Sequence, residues 1–248
     1  CLNIKLFIMK SIFHPASERG HVNFGWLDSH HSFSFGHWQN PDKMHFGALR
    51  VLNDDIVLGG GGFGTHPHDN MEIVSIPLTG SLAHKDSTGT DGIIKSGDVQ
   101  IMSAGTGIRH SEYNASKTET VNFLQVWVFP KKENIKPHYD QKAFSLNERL
   151  NKWQIVVSPD DRDGGLWINQ DARFALTKLD AGKEINYPPK FTGNGVYVFV
   201  VEGGIQLADH QLGKRDAVGV YEFDNILIKA NAASELLLIE VPMTLEKN

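Results

Sequence analysis

Two pairs of side chains sit at the spacing that puts both members on one face of a β-strand: His66-Pro67-His68 and His110-Ser111-Glu112. Residues i and i+2 of a strand project to the same side, so each pair aims two donor groups into one space. On facing strands the two pairs would gather three imidazoles and a carboxylate around a single point. Nitrogen and oxygen donors without thiolate suit a first-row divalent ion: iron, copper, nickel, manganese, cobalt or zinc. Four protein ligands leave one or two positions of a five- or six-coordinate ion for water or substrate. A lone His-x-His among 12 histidines is weak evidence. The glycines around it strengthen it. Gly60-Gly61-Gly62-Phe63-Gly64-Thr65 precedes the first pair and Gly105-Thr106-Gly107-Ile108-Arg109 the second, letting the backbone turn sharply and keeping a pocket rim open.

The elements that must carry these pairs read as strands. Runs rich in β-branched and aromatic residues recur at Ile56–Leu58, Glu72–Leu78, Val99–Met102, Val121–Phe129, Gln154–Val157, Phe174–Leu179, Val196–Val201, Ala217–Tyr221 and Glu235–Val241. Turn sequences such as Asn53-Asp54-Asp55, Gly89-Thr90-Asp91-Gly92 and Glu202-Gly203-Gly204 separate them. Short, regularly spaced strands predict an all-β sandwich or barrel. Ser145–Leu150 is the one modest helix candidate, and Lys131–Tyr139, polar and carrying Pro137, reads as a linker.

The two halves repeat in pattern. EIVSIPLTGSLAHKDS followed by GDVQIMSAG in the first half matches VYVFVVEGGIQLADHQ followed by RDAVGVYEF in the second. The expected organisation is an extension at 1–9 with Met9 a natural start, a module at 10–135, a linker at 136–144, a second module at 145–243 and a tail at 244–248. The second module lacks the chemistry. Twelve residues on from Asp98 lies His110, but twelve on from Asp216 lies Ile228. Counting back from Gly80 reaches His66 and His68, but from Gly204 it reaches Lys190 and Thr192. The second module is therefore expected to be a metal-free scaffold or a regulatory surface.

Composition bounds the function. In 248 residues, 40% hydrophobic and 21% charged, there is material for one or two cores, which excludes a disordered or fibrous chain. A net charge of −5 and no basic cluster longer than a pair leave no footprint for nucleic acid. The single cysteine, Cys1, excludes a disulfide framework and a thiolate zinc site and fits a reducing, cytoplasmic setting. Cys1 would also suit a lipidated terminus, but the extension reading is preferred. No apolar run approaches the ~18 residues a membrane span needs. Neither a nucleophile elbow nor a phosphate loop is present; Gly59–Gly62 lacks the lysine a phosphate loop requires.

With both pairs in view, the span Gly60–Gly80 (GGGFGTHPHDNMEIVSIPLTG) resembles the first cupin motif, and Gly97–Asn114 (GDVQIMSAGTGIRHSEYN) resembles the second. Ser103 stands where the second motif usually has proline, and the gap from Gly97 to His110 is longer than usual. THPHDNMEIV, QIMSAGTGIRHSEYN and GWLDSHHSFSFGHW are similar to the pirin branch of the cupins, and to its bacterial members with quercetin 2,3-dioxygenase activity. The resemblance implies an all-β bicupin: two β-barrel or jelly-roll modules packed together, with one mononuclear metal in the N-terminal barrel. It implies Fe2+, with Zn, Ni, Mn, Cu or Co compatible with the donors, held by His66, His68, His110 and Glu112. Cupins in general take the carboxylate from the first motif, which here is Glu72. Glu112 is preferred because it shares the parity of His110, and Glu72 then becomes a supporting or solvated residue. The implied reaction is dioxygenation of a flavonol such as quercetin, with Glu112 the catalytic base and O2 the co-substrate. The alternative is an iron-dependent regulatory module that binds a protein partner, as pirin resembles a transcriptional co-regulator. A cupin isomerase would need a cationic lining for an anionic sugar, and none is evident.

Other residues carry plainer expectations. His30, His31 and His37 with Phe33, Phe35 and Trp38 would roof the pocket or, preferably, pack between modules. His84, His138 and His210 lie near turns and are expected in solvent. Arg109, of opposite parity to His110, should point away and form an ion pair. Trp127 and Phe129 should face the barrel interior or its outer sheet, and Met102 should be core.

Overall fold

The computed structural model describes residues 9–245, and strands dominate it. The only helical elements among the described residues are three single 3-10 turns, Ala16–Glu18, Leu146–Arg149 and Asp161–Asp163. The helix expected at Ser145–Leu150 is thus one short turn. Most of the expected extension lies outside the described residues, as does the end of the tail.

The strands build two sandwiches on one plan, the first having one extra strand, Gly20–Asn23, at the edge of its large sheet. In the first, a large sheet runs in the order His138–Ala143, Asp98–Ser103, Glu72–Thr79, Val121–Val128, Leu49–Val57, Leu27–His31, Gly20–Asn23. It faces a small sheet ordered Gly62–His68, Ile108–Asn114, Ser81–Asp86, Asp91–Lys95. In the second, the large sheet runs Lys10–His14, Ala217–Tyr221, Asn194–Glu202, Ser234–Pro242, Arg173–Leu179, Gln154–Val157. Its small sheet runs Glu184–Tyr187, Ile226–Ala230, Ile205–Leu207, His210–Leu212. The pattern repeat is therefore a structural one, and the two-module all-β fold stands.

The module boundaries need correction. Lys10–His14, which opens the first half in sequence, pairs antiparallel with Ala217–Tyr221 of the second module. His138–Ala143, inside the expected linker 136–144, pairs antiparallel with Asp98–Ser103 of the first. Each module thus lends its leading strand to the edge of the other. The sequence hid this because His138–Ala143 is an edge strand with most residues exposed, so it lacks an apolar alternation. Pro137 sits just before it, where a missing N–H costs no ladder bond.

The largest core lies between the modules. Phe33, Phe46, Leu49 and Val126 from one side meet Phe174, Tyr197, Phe199 and Ile239 from the other. Phe46 packs 5.7 Å from Tyr197, with its ring against Gly219 and Gly195, where any β-carbon would collide with it. Tyr197, fully buried, finds a polar partner in His14 Nδ1 at 2.9 Å, on the exchanged strand. Asp54 accepts a 2.8 Å contact from Arg215 Nε across the junction, with Arg19 at 3.7 Å.

A shared core predicts shared unfolding. Phe46→Ala should cost ~3–5 kcal/mol, the usual range for a deleted core phenylalanine. Calorimetry should still show one transition, because neither module keeps its edge strand or its inner layer without the other. Two separated transitions would contradict the exchange.

Candidate metal centre

The Gly62–His68 and Ile108–Asn114 strands are antiparallel neighbours, and their register places His110 opposite His66 and Ile108 opposite His68. The register shifts between His110 and Glu112, where the first strand carries an extra residue. As a result three imidazoles converge. His110 Nε2 lies 2.9 Å from His66 Nε2 and 3.0 Å from His68 Nε2. Two bonds of ~2.0–2.1 Å at right angles span ~2.9 Å, whereas at the tetrahedral angle they span ~3.4 Å. The spacing therefore fits cis positions of an octahedral ion.

The protonation states fit the same role. His66 Nδ1 donates to the Gly64 carbonyl at 2.7 Å, which leaves Nε2 with its lone pair. His84 Nε2 donates to Asp86 Oδ2 at 3.0 Å, so His84 Nδ1 is free to accept from His110 Nδ1 at 3.5 Å. That arrangement also turns the lone pair of His110 Nε2 inward. Burial, reinforced by the neighbouring imidazoles, pushes His68 down to about 4 and His110 down to about 3. Both rings are neutral at neutral pH. Facing lone pairs at 3 Å repel one another unless a cation lies between them, so the donor set fits a divalent metal.

Glu112 is buried beside this cluster, grouping with His84 and His110. Gln125 Nε2 donates to its Oε2 at 2.6 Å and Ser75 Oγ to its Oε1 at 3.2 Å. Trp127 Nε1 donates to Gln125 Oε1 at 3.2 Å, which fixes the amide so that its NH2 faces Glu112. The Trp127 ring stands edge-on to His68 at 4.9 Å. A cavity of about 330 Å3 opens onto His66, His68 and Glu112, with Trp127, Phe35, Phe63 and Phe24 among its apolar walls. That size falls in the range of small-molecule sites.

Several expectations change here. The histidine–aromatic segment was expected mainly to pack between modules, but His31, Phe35 and His37 line the cavity. Only Phe33 joins the inter-module core, while His30 stacks on His21 at 4.3 Å and Trp38 covers Gly20. His84 is buried rather than solvated, and its partner Asp86 is buried with it. His138 packs edge-on to Trp167, and His210 stacks on Phe13 while bonding Ser11 Oγ at 2.8 Å. Arg109 is exposed as expected but makes no ion pair among the described residues. Met102 is core, Trp127 faces the cavity, and Phe129 packs on the inter-module core. The signal for His84 was in the sequence: His84-Lys85-Asp86 has the same i, i+2 spacing as the two ligand pairs.

Glu72 is occupied elsewhere. Its Oε2 accepts from Ser103 Oγ at 2.7 Å and from the Asn169 N–H of the second module at 3.1 Å. It therefore serves the module junction and belongs to none of the histidine-containing clusters among the described residues.

In the second barrel Ile228 faces Ile185 where His110 faces His66, and Ile226 faces Tyr187 where Ile108 faces His68. Counting from Asp216 to Ile228 finds the right position. Counting back to Lys190 and Thr192 does not, because those residues follow the Glu184–Tyr187 strand in a longer loop. Ile185, Tyr187, Ile228 and Ala230 all belong to an apolar core.

Two β-sandwich barrels in one chain, one carrying a three-histidine cluster and the other a largely apolar interior at the matching positions, define a bicupin with a candidate metal centre in its first barrel. The Pirin family model matches residues 12–128, and the model described as the quercetinase C-terminal cupin domain matches residues 155–241. The chain belongs to the pirin family. It is 43% identical over 230 residues to a quercetin 2,3-dioxygenase of Escherichia coli (strain K12), covering 92% of this chain and 96% of that one. It is 37% identical over 228 residues to a pirin-like protein of Caulobacter vibrioides, covering 91% of this chain and 97% of that one. The crystal structure of the bacterial pirin YhhW of Escherichia coli in complex with nickel(II) superposes with a TM-score of 0.89 at 40% identity, covering 95% of this chain and all of that one (100%).

The position of Glu72 generates a test. Burial pushes its carboxyl up to about 7 from an ordinary 4.5. A raised carboxyl favours folding while protonated, so its contribution is complete below pH ~4.5 and is lost as pH rises through ~7. Glu72→Gln should remove that loss, gaining stability on the wild type between those limits, and should leave metal uptake unchanged. Denaturant titrations at several pH values, with metal analysis of both proteins, check this. Loss of metal in Glu72→Gln would return the carboxylate role to it.

Proposed function

We propose that this protein is a metal-dependent dioxygenase that cleaves a flavonol such as quercetin, incorporating both atoms of O2 and releasing carbon monoxide. The observation that carries the reading is the convergence of His66 Nε2 and His68 Nε2 on His110 Nε2, at 2.9 and 3.0 Å, with His66 and His68 on the wall of an aromatic-lined cavity. The 43% identity to a relative named for this activity supports it. His66, His68, His110 and Glu112 would hold one divalent ion, with iron favoured by the family resemblance and nickel supported by the liganded relative. When bound, such an ion supplies Lewis acidity toward a phenolic hydroxyl and one-electron chemistry with dioxygen.

The chain's own residues supply the rest. Trp127 and Phe35, in edge-to-face contact at 5.4 Å, give a flat aromatic ligand apolar surface and displace water from it. Glu112 is the base that takes the proton of the hydroxyl directed toward the imidazoles. Its oxygens are held by Gln125 and Ser75, so it needs little reorganisation to do so. Gln125 in turn is held by Trp127, which ties the orientation of the base to the wall that the substrate would touch.

His68→Ala should lose most of the bound metal, measured by elemental analysis after dialysis. Cobalt(II)-substituted protein should show the weak visible bands of five- or six-coordination; intense tetrahedral bands would refute the right-angle reading of the nitrogens. Glu112→Gln keeps size and one acceptor oxygen but loses the base. It should retain part of the metal while oxygen uptake with quercetin falls at least ~10²-fold. Undiminished uptake in that variant would remove Glu112 from the role.

A further inference from the structure

We propose that His31, Ser29 and Asp55 form a proton relay in the cavity wall that accepts a proton from a second hydroxyl of the substrate, distinct from the hydroxyl directed to the imidazoles. This rests on the reading of the cavity as a site for a hydroxylated aromatic.

The three residues project from neighbouring strands of the large sheet, Leu27–His31 and Leu49–Val57, with Ser29 directly opposite Asp55 and His31 opposite Asn53. All four line the same cavity as His66, His68 and Glu112. Ser29 Oγ donates a short hydrogen bond to Asp55 Oδ1. Having given its only proton there, Ser29 must accept from His31 Nε2–H, which lies 2.8 Å away. His31 Nδ1 is then left with a lone pair. It is buried and has no partner in the protein, and the same is true of Asn53 Oδ1. A buried acceptor without a donor costs ~1–3 kcal/mol, and these two belong to cavity-lining residues, so a ligand that brought donors to them would relieve that cost. Hydroxyl groups are such donors.

The order of the groups gives direction to the proton. Burial, with further contributions from Arg19, His30 and His21, holds His31 down to about 4, so its ring can pass a proton on but cannot keep one. Asp55 is fully enclosed, and burial together with the charges of Asp54 and Glu112 raises its carboxyl to about 7 against the opposing effects of Ser29 and Arg19. It is the one member of the chain able to hold the proton near neutral pH. In the step itself the substrate O–H proton moves to His31 Nδ1 and the Nε2 proton moves to Ser29 Oγ. The Ser29 hydroxyl proton then moves to Asp55. The substrate oxygen ends anionic, Asp55 ends neutral, and His31 ends in its other neutral tautomer.

Folding alone does not require these residues. The second barrel is built on the same plan with one strand fewer, and its interior carries Ala175, Val198 and Leu238, all fully buried and apolar. The second barrel's buried polar cluster is a different one, with Glu240 accepting from Tyr187 and Asn194, and all of its acceptors are supplied from within the protein.

The test compares two ligands under anaerobic conditions with metal-loaded protein: quercetin, and 3-hydroxyflavone, which keeps the 3-hydroxyl and has no other. Affinity and the absorption band of the bound ligand are followed across pH for wild type, Asp55→Asn and Ser29→Ala. Ser29→Ala breaks the chain while leaving both ends in place. Wild type should bind quercetin with a second hydroxyl ionised, seen as a red-shifted band. Both variants should lose that band and bind quercetin roughly 10-fold or more weakly, the scale of a lost charge-assisted hydrogen bond. 3-Hydroxyflavone should change less than about twofold in each. Equal losses for both ligands would show a merely structural role, and an ionised quercetin band surviving in both variants would refute the relay. If wild type, fully metal-loaded, binds neither ligand, the flavonol reading itself falls and the relay falls with it.

Discussion

The antiparallel register between Ile108–Asn114 and Gly62–His68 sets how His66, His68 and His110 converge at the candidate metal centre. It places His110 across from His66 and Ile108 across from His68, so that one residue of one strand meets the alternate residues of the other. Because side chains alternate along a strand, a slip of one residue would turn His66 and His68 out of the barrel together. What pins the register is the apolar set on the same strands. Ile108 is buried against Ile73 and Met102, and Phe63 packs on Trp26 and the Leu82, Val121, Phe123 cluster. The glycine-rich approach at 59–64 is constrained as well, since Gly62 lies directly on Tyr113 and Glu112 and Gly59 on Lys117, with no room for a β-carbon at either. The chemistry is therefore held by packing that contains no ligand.

The twin barrels isolate what the chemistry costs. The same strand order folds with Ile185, Tyr187 and Ile228 inside as with His66, His68 and His110. The second barrel gains the hydrophobic contribution of a filled interior, ~25 cal/mol per Å2 of apolar area buried. The first gives that up for an open cavity, three clustered imidazoles and the buried Glu112 side chain. Large apolar contacts between the modules offset this, and they come largely from the outer faces of the same sheets.

Much of this was legible in the residues. The strand runs, the two-module repeat and the i, i+2 pairs follow from periodicity, which needs only local sequence. The apolar replacement at Ile228 could be found by counting, because the stretch from Asp216 to it has the same length as that from Asp98 to His110. The count to Lys190 and Thr192 failed because a loop had changed length, and loop length leaves the apolar pattern untouched. The exchange of Lys10–His14 and His138–Ala143 was not legible, since an edge strand with exposed side chains looks like a linker. Glu72 and Glu112 could not be separated by type, only by partners. Glu112 meets Gln125 and Ser75 across the barrel, whereas Glu72 meets a backbone N–H from the other module. Burial of His31 was equally invisible, whereas for His84 the i, i+2 spacing to Asp86 was the one local sign that it turns inward.

The exchanged strands also tie the module arrangement to the site. Tyr139, on the strand that crosses from the second half, lies against His84 with ring centroids 4.7 Å apart. His84 lies between Asp86 and His110, so Tyr139 covers the chain that sets the tautomer of a candidate metal ligand. On the opposite wall, adjacent aspartates face opposite ways. Asp54 pairs with Arg215 of the second module, while Asp55 turns inward to Ser29 and the cavity. One peptide unit thus joins an inter-module ion pair to the polar wall. The second barrel is in this sense part of the site. It contributes no donor, but its strand and its arginine fix the positions of residues that contact the histidines and line the cavity.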